Sequence, residues 1–157
     1  MPELDRDDIE KKVRRALALL LKHDRFLMET DANERSITHK FAEYLQVEFP
    51  KWHVDCEYNR RGNLPKRLQI AADTEVRADD TDARTVYPDI IVHRRNTDDN
   101  LLVIEVKKSS NRNGEEWDWK KLGAFKHADD YGYEHALFVR FETREGREPG
   151  VSDFTFL

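Results

Sequence analysis

The sequence predicts an α/β domain, a mixed sheet of about four strands flanked by helices, and three observations predict it. Apolar residues recur at helical spacing through residue 49, whereas between residues 52 and 107 they alternate or run unbroken in short segments bounded by turn formers. Helical spacing returns near residue 120 and is followed by a last apolar run at 135–141. The 157 residues suit one core rather than two.

Taken in order, Ile9, Val13, Ala16, Leu17, Leu20 and Leu27 place an amphipathic helix over residues 7–29, an addition ahead of the core. Thr30-Asp31 interrupts it. Asp31 with Glu34 three residues on has the form of a capping box, which starts a second helix that Pro50 closes after Phe49. Residues 52–59 alternate Trp52, Val54, Cys56 and Tyr58 against polar neighbours, the period of a half-buried strand. Residues 60–85 hold Gly62, Pro65 and many charges, which predicts a long loop.

Two strands, 86–93 and 101–107, flank the turn-forming run 96–100 and so predict an antiparallel hairpin. A third helix spans 115–131, with Trp117, Ala124, Phe125, Ala128 and Tyr131 on its buried stripe. The strand 135–141 precedes a polar tail. The expected divisions of the single domain 1–157 are an N-terminal helix (1–30), a core (31–141) and the tail (142–157).

Charged residues are as frequent as hydrophobic ones, 38% each, which implies a compact core under a heavily charged surface. The net charge of -5 argues against a protein that coats nucleic acid indiscriminately, but it leaves room for a local basic site. A lone Cys56 excludes an intrachain disulfide, and no apolar run can span a bilayer. A cytoplasmic protein without membrane contact is the expectation.

Parity along the second hairpin strand supplies the first chemical clue. Leu101, Val103, Glu105 and Lys107 share one face, and Leu102, Ile104 and Val106 share the other. A strand this apolar is expected to be central and covered on both sides, so its carboxylate and ammonium need partners, water or a metal. Pairing about a turn near Thr97 sets Asp89 opposite Glu105. Two such carboxylates repel unless a cation lies between them, and hard oxygen ligands suit Mg²⁺.

Pro88-Asp89, fifteen intervening residues and Glu105-Val106-Lys107 make this chain resemble the PD-(D/E)XK nuclease superfamily. The order of elements over residues 31–141 is similar to that family's restriction-endonuclease-like core of helix, three-stranded meander, helix and fourth strand. The resemblance implies a Mg²⁺-dependent nuclease, with Mn²⁺ as a possible substitute, that hydrolyses phosphodiester bonds in DNA. Asp89, Glu105 and the Val106 carbonyl would hold the metal, and Lys107 would act on the attacking water. Family members add an acidic residue from the first core helix. Helical phase relative to Ile37, Phe41 and Leu45 selects Glu34 over Glu43, although Glu34 is equally explained as the capping-box acid. Glu48 falls on the same stripe near the helix end, as a rim residue.

In several relatives a Lys or Gln from the third helix assists the site, a role that Lys121 can take. Its alternative is a side chain lying along the helix edge. Arg60, Arg61, Lys108 and Lys121 are the candidate nucleic-acid contacts, with surface polarity as the plain alternative. His39, His53, His93 and His127 lack zinc-site spacing, and Ser36, Ser109 and Ser110 lack a neighbouring base. Two further classes stay open: a catalytically silent nucleic-acid-binding or interaction module, and an accessory domain active only within a larger complex. A homodimer is compatible with either.

Overall fold

The computed structural model describes residues 4–57, 60–61, 64–65, 87–111, 113–127 and 132–157. Three helices come first: α1 (Arg6–His23), α2 (Arg25–Glu29) and α3 (Glu34–Glu48). The strands are β1 (His53–Cys56), β2 (Arg60–Arg61), β3 (Leu64–Pro65), β4 (Ile90–His93), β5 (Asn100–Lys108), β6 (His135–Glu142) and β7 (Gly150–Phe156), with α4 (Glu115–His127) between β5 and β6. The main sheet is mixed and five-stranded in the order β1-β4-β5-β6-β7, while β2 and β3 pair separately. Among the described strands only β5 and β6 run parallel.

Side-chain alternation sends the two halves of β5 to different layers. Leu102, Ile104 and Val106 pack with Leu137, Val139 and Phe141 against α1 and α3, and Val103 packs with Ile91, Ala136 and Phe138 against Leu122 and Phe125 of α4. On the first face Ile9, Val13, Leu20, Ile37, Phe41 and Leu45 are fully buried, each stabilising the fold by about 1.5–3 kcal/mol. Phe41 sets its ring edge-on to Phe141, so Phe41→Ala would open a cavity costing about 3–5 kcal/mol. Among the described residues no helix is long and apolar enough to cross a membrane.

Several boundaries differ from those expected. The first helix starts at a capping box of Asp5 and Asp8 and breaks at Asp24, so that α2 is a separate short turn. The start of α3 is capped by Asn33, whose side chain accepts from the Ser36 N–H at 2.8 Å, and not by an Asp31–Glu34 box. Asp31 adopts a left-handed φ of 49° and spends its carboxylate on Lys108 and Ser110, which removes it from the helix end. The expected tail is largely strand β7, because Val151, Phe154 and Phe156 reach the core edge while Arg6 and Arg14 lie over the two Phe rings. The sheet therefore has one strand more than expected. The buried stripe of α4 is centred on Leu122 and Phe125, with Trp119 stacked on Phe138, rather than on Trp117. Ala128, Tyr131 and most of the loop 60–85 lie outside the described residues.

Candidate active site

The hairpin pairs as its turn chemistry demands. Thr97 Oγ1 donates to the Arg94 carbonyl at 2.6 Å, Asn96 takes a positive φ of 61°, and Ile90 pairs with Ile104. Asp89, one residue before β4, is thereby set beside Glu105, and its Oδ2 accepts from the Val106 N–H at 2.8 Å. Because a strand residue directs its N–H and C=O to the same edge, the Val106 carbonyl also faces the Asp89 side. The Asp89 carbonyl takes the Glu57 N–H at 3.1 Å, which ties this end of β4 to β1.

Glu105 is 1% exposed and lies on the α4 face, as does Lys107, 5% exposed. Neither Glu105 oxygen has an aligned hydrogen-bond donor. Burial first, and the neighbouring Asp89 second, push its carboxyl well above the usual carboxylate range, although the Lys121 ammonium opposes them. Lys121 Nζ stands 3.2 Å from Glu105 Oε2 and donates to the Tyr87 carbonyl at 3.3 Å. Its own pKa is raised, since Glu105, Asp89 and Asp118 outweigh the effect of burial.

Lys107 is engaged on two sides: its ammonium lies 3.0 Å from Asp118 Oδ2 and donates to the carbonyl of Asn113. Gly114, at a φ of 77°, turns the chain past this ammonium into α4. Burial raises the Asp118 pKa against the pull of Lys107. Asp118 is the residue that sequence reasoning missed. Its only signal was an acid three positions before Lys121, a spacing that puts both on one side of α4.

Glu34 occupies the first turn of α3 near the end of β5, with its Oε2 buried and without a hydrogen-bond partner. Burial and then Asp89 raise its pKa. Glu43 instead faces solvent, paired with His39 and Lys40 at 2.8 and 3.3 Å. Glu48 pairs with Arg15 of α1 at 2.7 Å, as a rim position would. Helical phase thus puts Glu34 and not Glu43 on the sheet side of α3; with Asn33 as the cap there is no Asp31–Glu34 capping box, while Glu34 is still the acid of the first turn, where the helix dipole favours a carboxylate.

Of the candidate nucleic-acid contacts, Lys108 is a clamp and not an open surface cation: its Nζ donates to Asp31 Oδ1 and the Ala32 carbonyl, both at 3.1 Å. Lys121 turns inward to Glu105. Arg60 and Arg61 form β2, and their side chains lie outside the described residues. In register with Lys107 on β6 is Arg140, held by Glu115 of α4 and, at 3.6 Å, by Asp153 of β7.

Among the described residues no group of three or more His, Cys, Asp and Glu side chains is arranged to hold a metal ion. Asp89, Glu105 and the Val106 carbonyl are the groups that would hold Mg²⁺, which takes one or two carboxylates and keeps waters and substrate phosphates, and the observation in favour is Glu105, whose buried oxygens have no aligned donor. A cavity of about 450 Å³, lined by Lys12, Phe49, Trp52, Arg94 and Leu101, lies toward the start of β5 and away from these residues. No family model, curated protein or solved structure matches this chain.

Proposed function

We propose that this chain is a Mg²⁺-dependent nuclease of the PD-(D/E)XK type that hydrolyses phosphodiester bonds in DNA. The observation that carries the reading is Glu105: a carboxylate with no aligned donor, fully buried on the central strand beside Asp89, two residues before an ammonium on the same face. Such a group is costly to bury, and a function that needs it accounts for its retention.

Asp89, Glu105 and the Val106 carbonyl would hold the ion, Mg²⁺ or Mn²⁺, with Glu34 completing the shell directly or through water. An ion held by these groups would supply a lowered pKa for bound water and offset the charge gathering on the phosphate. Lys107, an ammonium, orients the attacking water and stabilises the oxygens of the scissile phosphate. Water oxygen bonds to phosphorus as its proton passes to solvent, one ester P–O bond breaks, and the leaving oxygen takes a proton from solvent. Arg60 and Arg61 are the proposed backbone-phosphate contacts, and partner subunits, as a homodimer or a larger complex, can supply others.

One observation favours a second reading, a catalytically silent nucleic-acid-binding or interaction module: Lys107 and Lys121 are each already paired with a carboxylate. Incubating purified protein with plasmid and with single-stranded DNA under Mg²⁺, Mn²⁺ or EDTA separates the two. Metal-dependent cleavage that is lost in Asp89→Ala supports the nuclease, and inert protein that still retards DNA on a gel supports the module.

A further inference from the structure

We infer that Lys121 is a built-in counter-cation of the candidate metal centre, which competes with a divalent ion for Glu105 and is displaced toward substrate phosphate when the ion binds. This rests on the metal-dependent reading above. Lys121 Nζ faces the kinds of oxygen a hard cation prefers, a carboxylate at 3.2 Å and a carbonyl at 3.3 Å, with its side chain only 11% exposed. Glu105 and Lys121 are held together at 3.2 Å largely by opposite charge, and an ion of higher charge competes for the same carboxylate.

The neighbouring groups show why the replacement is an exchange. Asp89 and Asp118 also lie near Lys121, but Asp118 is paired with Lys107 at 3.0 Å and Asp89 would be a ligand of the ion, so an ammonium driven from Glu105 is left with the neutral Tyr87 carbonyl and carboxylates that already have a cation. A divalent ion on Glu105 and an ammonium held beside it repel each other in a site shielded from water. A phosphodiester restores the balance by giving that ammonium an anion. Metal and substrate consequently bind with positive coupling, and Lys121 keeps metal affinity low until substrate is present.

The test is calorimetric titration of the full, metal-stripped chain with Mn²⁺ in the absence of nucleic acid. It compares wild type with Lys121→Met, Lys121→Arg and Asp89→Asn. Lys121→Met should bind Mn²⁺ more tightly by on the order of tenfold, Lys121→Arg should stay near wild type, and Asp89→Asn should lose the site. Lys121→Gln serves in the same way if Lys121→Met does not fold. Equal or weaker Mn²⁺ binding in the neutral variants, with binding intact in wild type, overturns the competition and leaves the metal centre standing. Absence of Mn²⁺ binding from wild type and neutral variants alike overturns the metal centre itself, and the counter-cation role with it.

Discussion

Lys107 Nζ lies 3.0 Å from Asp118 Oδ2, with side-chain exposures of 6% and 14%. One residue is on the central strand and the other on the helix that covers it, so Asp118 sets where the ammonium can point. Under the nuclease reading Asp118 is a positioning residue. Asp118→Asn should lower kcat more than it changes KM, and Asp118→Glu should recover part of the loss. Breaking the buried pair should also cost about 3 kcal/mol, visible as a melting temperature several degrees lower.

Removing a motif residue tests the chemistry directly. Asp89→Ala and Lys107→Ala should each reduce cleavage by about a hundredfold or more while circular dichroism shows a folded protein. Undiminished activity in either removes that residue from the mechanism.

The two helix acids make a matched comparison. Glu34 sits at the end of β5 with a buried oxygen, whereas Glu43 is engaged on the solvent side. Glu34→Gln should slow cleavage or shift its Mg²⁺ dependence, and Glu43→Gln should do neither. Reversed effects would place the metal away from the end of β5.

Divalent ions should stabilise the fold by relieving the repulsion between Asp89 and Glu105. At a hundred times its Kd a ligand adds about 2.7 kcal/mol, a rise of several degrees in melting temperature for a chain of this length. Asp89→Asn should largely abolish the rise, and equal shifts in wild type and variant would put the ion elsewhere.

Acid sensitivity should come in part from the far end of the hairpin. His93 Nε2 lies 2.7 Å from Asp55 Oδ2, and Arg95 Nε donates to the same oxygen at 2.9 Å. Burial alone would raise the Asp55 pKa, but His93 and Arg95 outweigh it and hold the carboxyl below its ordinary 3.8. A carboxylate depressed in the folded state contributes stability that is fully present above its unfolded pKa. That stability is lost as pH falls through the folded value. Asp55→Asn should therefore be less stable than wild type at neutral pH, with the gap narrowing below about pH 4 in urea melts.

Much of the candidate site was legible because the relevant signals are local. Alternation along β5 is enough to put Glu105 and Lys107 on one face, and the turn at Thr97 brings Asp89 to Glu105 through pairing that needs only a short hairpin. Helical phase separates Glu34 from Glu43 for the same reason. The missed strand β7 also carried a local signal, the alternating Phe154 and Phe156, but its pairing with β6 depends on how the chain returns after Glu142.

By itself, then, the sequence determined the periods, which side chains share a strand face or a helix stripe and where turns interrupt them, except at Leu101, which the bulge opposite Val92 and His93 turns into the core with Leu102. Only the tertiary structure decided which polar groups meet across elements. Lys121 finds Glu105, Asp118 finds Lys107, and Lys108 turns to Asp31 instead of to solvent. These partners come from segments separated by many residues. Long, flexible side chains can reach several carboxylates, and the packing of α4 against the sheet and of the α2–α3 junction against the end of β5 leaves each ammonium the carboxylate that burial has brought within reach.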